Sequence, residues 1–336
     1  MWGALVSSRL IPRDAEMVKM HEEWMIKYDR VYESPEEKEN RFEIFKENVE
    51  RINAHNQVEG REYDMGVNKF IDMTFEEVKA KYTGLATGRY LDGSHARVSR
   101  SRNVFNLKAT KLNEEVPQSV DWRKKGAVTG VKDQGSCRSS WAFAVVAAVE
   151  SLNKLNGPSR ELVSLSEQEL VDCDYYDSGC DGGYLDTAYQ WITENEGLST
   201  EEAYPYRGQH GPCDTDARSH AAATISDYLR VLPNSDEKAL EQIVAIQPVT
   251  VGISVSEDFT NYLEGVFTGN CTSDDLDHAV TIVGYENVED GTSYWIVKNS
   301  WGESWGDEGY IKMAKDIGEP EGLCGLALDA WYPILD

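Results

Sequence analysis

Six cysteines, Cys137, Cys173, Cys180, Cys213, Cys271 and Cys324, are confined to the last two thirds of this 336-residue chain. Their number is even, and no close Cys-x-x-Cys pair or His cluster accompanies them. That pattern favours disulfides over a zinc site, and therefore an oxidising compartment. Three bridges would leave no free thiol.

The cysteine boundary coincides with a change of charge. Residues 1–114 hold 19 basic and 20 acidic residues and residues 115–336 hold 14 and 39, so the two parts carry −1 and −25 of the total −26. Such an acidic surplus makes nucleic acid a poor partner. Nine Trp and seventeen Tyr spread along the chain argue for a globular protein. No apolar run approaches the roughly 18 residues that span a bilayer. The opening stretch from Met1 to Val6 is shorter than a signal core of roughly 7–15 residues, so if the protein is secretory its signal is expected to have been trimmed or replaced.

Helical periodicity predicts a first helix from Asp14 to about Arg30, with Met17, Met20, Trp24 and Tyr28 on its apolar side. A second is announced by Ser34 as N-cap, Pro35 at the first position and Glu37 completing a capping box. Glu37, Arg41, Phe45, Asn48, Ile52 and Asn56 follow at steps of three and four and share one face of it. That face is either a docking surface or an ordinary amphipathic stripe packed on its own domain. Tyr63 to Phe70 reads as a strand, with Gly66, Asn68, Phe70 and Asp72 at alternate positions on one side. Thr74 and Glu77 form a further capping box that opens a short helix. Residues 84–114 lack periodicity and read as an extended linker, whose stretch from Arg89 to Lys111 has a net charge of +5 from six basic residues and one acidic residue.

The Glu-Arg-Phe-Asn-Ile-Asn helix and the Gly-x-Asn-x-Phe-x-Asp segment resemble the inhibitory propeptide of papain-like cysteine proteases, with every signature position filled. The resemblance implies an N-terminal remnant at 1–13, an inhibitory propeptide domain at 14–83, a linker at 84–114 that threads the cleft in reverse, and a peptidase domain at 115–336. Pro117 to Arg123 resembles the start of the mature enzyme and puts the processing point near 112–116. The implied fold is α+β: a mainly helical propeptide before a two-lobed body, one lobe helical and the other β-barrel-like.

In that family the stretch Cys-Gly-Ser/Ala-Cys-Trp/Tyr carries the nucleophile, whereas this chain reads Cys137-Arg138-Ser139-Ser140-Trp141. Ser140 stands where the family has its Cys, and Arg138 where it has a Gly in the wall of the groove. Ser139 is the expected N-cap of the helix that follows, which Gly157 and Pro158 end. The resemblance pairs Cys137 with Cys180, Cys173 with Cys213, and Cys271 with Cys324. It also makes His278 the general base, Asn299 the residue that orients its ring, Trp301 and Trp305 the cover over that pair, and Gln134 a donor to the oxyanion. A serine in this setting needs its proton removed during attack, and a neutral Asn supports the imidazolium less than a carboxylate does, so residual hydrolysis should be feeble.

By the same resemblance Gly182 and Gly183 form a backbone rail for substrate, while Tyr184, Leu185, Gly252, Leu276 and Asp329 build the main specificity pocket. Asp329 is expected at its floor, available to a basic group. Asn270-Cys271-Thr272 is a glycosylation sequon. The implied partners are a peptide or protein in the cleft, the chain's own propeptide and cystatin-like inhibitors; no cofactor or metal is implied. The implied location is the secretory pathway, ending in a vacuole, a lysosome-like compartment or outside the cell. Two functions remain open: the zymogen of an endopeptidase whose Cys was changed to Ser, or a natural non-catalytic homologue that binds peptides or serves storage or defence. Arg138 favours the second, because one substitution already removes the thiol.

Overall fold

The computed structural model describes residues 14–86, 116–219, 221–289 and 291–335. The basic run from 89 to 111 and the processing point near 112 lie outside them. Helix α1 (Asp14–Lys27) packs on α2 (Pro35–Asn56) through Met17, Trp24, Phe45, Val49 and Ile52, all buried. The Trp24 and Phe45 rings lie 5.6 Å apart, and Trp24 Nε1 donates to Asn68 O, tying the helices to the segment that follows.

Two local expectations need correction. Ser34 caps α2 by accepting from Glu37 N, yet the Glu37 carboxylate turns back to Glu33 N and leaves the box half-formed. The strand expected over 63–70 is only β1 (Tyr63–Met65). Beyond it Asn68 Oδ1 accepts from Phe70 N and the chain turns, which splits the alternating residues between two sides. Gly66 N and Asn68 Nδ2 bond the carbonyls of Asn261 and Thr260 in the body, whereas Asp72 faces back to Tyr32 and Arg30. Helix α3 (Phe75–Tyr82) does begin with a complete capping box of Thr74 and Glu77.

The body has two buried clusters. In the helical lobe, α4 (Ser140–Asn156) is apolar on nearly all sides and buried from Ser140 to Leu152, packed by α5 (Glu167–Cys173) and α6 (Leu185–Glu194). An α-helix apolar all round must be enclosed, and this one lies between its own lobe and the sheet. The sheet lobe runs in the order β1, β5 (Tyr262–Phe267), β8 (Tyr310–Ala314), β7 (Tyr294–Lys298), β6 (His278–Glu286), β4 (Val249–Ile253), β9 (Ala330–Ile334) and β3 (Asp227–Arg230), with β2 (Ser119–Asp121) also on β6. Strand β1 of the N-terminal region is thus an edge strand of the body's sheet, antiparallel to β5 with Tyr63 opposite Gly265.

The disulfides join Cys137 to Cys180, Cys173 to Cys213 and Cys271 to Cys324, and no cysteine is free. Among the described residues no helix is long and apolar enough to cross a membrane.

Candidate active site

Ser140 is the first residue of α4 and fully buried. The expected cap, Ser139, makes no cap bond; its hydroxyl pairs with Tyr206 OH at 2.7 Å and reaches Cys137 O instead. The N-terminal turn of α4 is therefore held by the Cys137–Cys180 bridge and Tyr206, which also donates to Gln134 O. Ser140 Oγ accepts from Ala279 N at 3.2 Å, across the boundary between the lobes.

His278 opens β6 and Asn299 follows β7, so neighbouring strands set the two side by side. Asn299 Oδ1 lies 2.8 Å from His278 Nε2 and also accepts from Ser300 N, which fixes the amide orientation. An amide oxygen only accepts, so Nε2 carries the proton and Nδ1 the lone pair. Nδ1 is buried without a hydrogen-bond partner, and the Ser140 hydroxyl is not bonded to it. Burial lowers the His278 pKa to about 4, against the raising effect of Asn299, and the imidazole is neutral above that. Trp301 stacks on the ring at 4.8 Å, and Trp305 packs edge-on to Trp301 at 5.1 Å; both indoles are fully buried.

Gln134 is held by Ser300 Oγ, which donates to its Oε1 at 2.7 Å. Its Nε2 donates to Cys137 O and, at 3.1 Å, to Thr83 O of the N-terminal region. From there residues 84–86 run along Asp277 and Gly183. Gly84 N and Leu85 N both donate to Asp277 O, Gly183 N donates to Gly84 O, and Ala86 N donates to Gly183 O, a parallel bridge of Leu85 on Gly183.

The two glycines of this rail serve different needs. A Cβ on Gly182 would stand 2.9 Å from Gly84 O, so its absence does admit the incoming chain. A Cβ on Gly183 would instead strike the Trp141 ring at 2.6 Å, so that glycine is required by packing beneath the rail. Asp177 braces the same turn, accepting from Tyr184 N and Thr187 Oγ1.

Leu85 is buried with Leu185 and Leu276 in one cluster, and its Cδ2 lies 2.7 Å from where a Gly252 Cβ would be. Tyr184 stands at the N-cap position of α6 without a side-chain cap bond and is half-buried. Asp329 departs from expectation: its Oδ1 accepts from Trp331 Nε1 at 2.8 Å and pairs with Arg230 at 3.5 Å. Burial raises its pKa to about 7, offset by those two partners. It is an engaged group behind an apolar slot, with its charge already answered.

Arg138 is half-buried, its N bonding Cys180 O and its Nε enclosed without an acceptor. Asn270 is exposed. The α2 motif face folds the N-terminal region on itself: Arg41 pairs with Glu77 and donates to Asp72 O, Asn48 bonds the carbonyls of Ile71 and Met73, and Asn56 bonds Met65. Arg51 of the same helix reaches the body, pairing with Asp258 at 3.0 Å and bonding Asn261. Lys69 and Lys79 add ion pairs to Asp133 and Asp277. The motif positions did not point to these three; the signal available was their basic charge against an acidic body.

The profile of papain family cysteine proteases matches residues 116–334, and that of the cathepsin propeptide inhibitor domain matches residues 21–78. The chain belongs to the papain family of cysteine proteases, and it has the form of a zymogen that carries its own inhibitory propeptide. It is 45% identical over 334 residues to the senescence-specific cysteine protease SAG12 of Arabidopsis thaliana, covering 99% of this chain and 94% of that one. The proform of the cysteine protease Amb a 11, a ragweed pollen allergen, superposes with a TM-score of 0.86 at 37% identity over 97% of each chain. Bromelain of Ananas comosus in complex with the E64 inhibitor matches at a TM-score of 0.62 and 43% identity, all of it covering 66% of this chain.

Proposed function

We propose that this zymogen is a peptide-binding papain-like protease scaffold that lacks its nucleophile, with Ser140 at the nucleophile position and hydrolysis feeble or absent. His278 is the base, Asn299 holds its tautomer, and Gln134 with the N–H of Ser140 forms the oxyanion site. The observation that carries this reading is the lone pair of His278 Nδ1, buried and unbonded while the Ser140 hydroxyl bonds Ala279 N. A hydroxyl needs its proton taken by the base as it attacks, and here base and hydroxyl are not hydrogen-bonded. A thiol at the same helix N-terminus would ionise against the imidazole and need no such transfer.

This reading is supported by Thr83 O of the propeptide, which accepts from the Gln134 donor that a scissile carbonyl would use. Peptides and proteins are the ligands of the cleft, with cystatin-like proteins as further inhibitors. The three disulfides support passage through the secretory pathway to a vacuole, a lysosome-like compartment or the exterior.

The test is Ser140→Cys. After propeptide removal the variant should hydrolyse a dipeptidyl fluorogenic substrate at mildly acidic pH, at least ~10³-fold faster than the unaltered chain. A thiol-directed inhibitor should abolish that activity. A folded Ser140→Cys, Arg138→Gly double variant that stays inert would overturn the protease-scaffold reading in favour of a non-catalytic homologue.

A further inference from the structure

The propeptide chain in the cleft marks three successive subsites. Thr83 gives its carbonyl to Gln134, Gly84 lies on the backbone of Arg138, and Leu85 fills the slot beside Gly252 and Leu276. The middle one is closed to any side chain of the propeptide. A Cβ on Gly84, whose φ is +154°, would stand 2.3 Å from Arg138 O and 3.0 Å from Ser139 N. The propeptide therefore offers nothing to the Arg138 side chain from this residue.

Arg138 has other reasons to need a partner. Its Nε is enclosed with no acceptor, and among the described residues it forms no ion pair, although the body carries 39 acidic residues against 14 basic ones from 115 onward. A buried donor without an acceptor is unfavourable, and a guanidinium is best satisfied by the two oxygens of a carboxylate. Leu85 bridges Gly183 in parallel. In a ligand running the opposite way with its apolar residue in the slot, the carbonyl at Gln134 belongs to the next residue, the one that lies beside Arg138.

We infer that Arg138 makes this subsite selective for an acidic side chain, so that the cleft prefers peptides with Asp or Glu directly after the residue that fills the apolar slot. The inference rests on the reading of the cleft as a peptide site and adds the chemical class of the ligand. Arg138 is a specificity residue in it, with no part in bond cleavage.

The experiment keeps the full chain. It is folded, nicked in the linker with an added protease, and titrated with acetyl-Leu-Glu, acetyl-Leu-Gln and acetyl-Leu-Lys amides; native mass spectrometry reads the concentration that displaces half the propeptide. The Glu peptide should act at about tenfold lower concentration than the Gln peptide, with Lys weakest, the scale of one well-placed charge pair. Arg138→Gln should bring the Glu and Gln peptides within about twofold of each other, and added salt should narrow the gap in the unaltered protein. Equal potency of Glu and Gln peptides on the unaltered protein would overturn the Arg138 assignment and leave the cleft reading standing. Failure of all three peptides to displace the propeptide would overturn both.

Discussion

The propeptide and the body hold themselves together by different means. The body has two buried clusters, a central helix enclosed on nearly every side, and three disulfides. The propeptide has none of these to itself. Its apolar residues, Phe45 and Phe70 among them, belong to the same cluster as the body's sheet lobe, and its own shape is kept by polar side chains on backbone carbonyls, as with Asn48, Asn56 and Arg41. Such bonds fix geometry strongly but add only modest net stability, so the propeptide's order is conditional on the surface beneath it.

The widest separation of the two regions should come from Phe70. Its ring meets the edge of Trp301 at 5.0 Å and Tyr82 at 4.8 Å, linking propeptide core, body and the cover over His278. Truncating a buried Phe to Ala costs about 3–5 kcal/mol. In Phe70→Ala the propeptide should become protease-sensitive and unfold in a separate, earlier calorimetric transition, while the body's transition stays in place. One undivided transition shifted as a whole would show that the two regions form a single cooperative unit.

A smaller difference concerns pH. His278 is buried, and its folded pKa of about 4 lies below the ordinary value of 6.5. The unfolded chain therefore binds the extra proton first, and stability from keeping this ring neutral is present above about pH 6.5 and lost as pH falls towards 4. The loss is on the order of 3 kcal/mol. Compared with His278→Gln, the unaltered chain should lose that much more stability between pH 7 and pH 4 in urea unfolding. Parallel pH curves for the two proteins would contradict the buried, neutral imidazole.

What could be read from the sequence follows the same division. The Thr74–Glu77 box and the Pro35 start of α2 were legible because they are local to one helical turn, and the polar face of α2 was legible from its spacing alone, although its partners Glu77, Ile71 and Met73 lie on segments well beyond the helix. Where long-range contacts decide, the sequence pattern misled. Alternation from Gly66 to Asp72 suggested a strand, but Asn68 is drawn to Thr260 O and Asp72 to Arg30, and the backbone turns between them. Asp329 looked like a free acid because its partner Arg230 lies 99 positions earlier in a neighbouring strand. Ser139 met every local requirement for a cap and was taken by Tyr206 instead.

The finest test lies within the propeptide, between a cap that is complete and one that is shared out. Thr74 accepts from Glu77 N while Glu77 Oε2 accepts from Thr74 N, and the same carboxylate holds Arg41 through two further bonds. Ser34 accepts from Glu37 N alone, at an exposed helix end. Losing a Ser or Thr cap typically costs about 1 kcal/mol, with a spread of about 0.5–2 kcal/mol set by context. Thr74→Ala should fall towards the upper end, since it also loosens the Glu77–Arg41 pair that joins α3 to α2. Ser34→Ala should fall near the lower end. Amide hydrogen exchange separates them: Thr74→Ala should speed exchange at residues 77 and 78 and also along α2 around Arg41, whereas Ser34→Ala should speed it only in the first turn of α2. If both variants change only their own first turn, the Arg41–Glu77 pair does not couple the two helices, and the propeptide is looser than its polar network suggests.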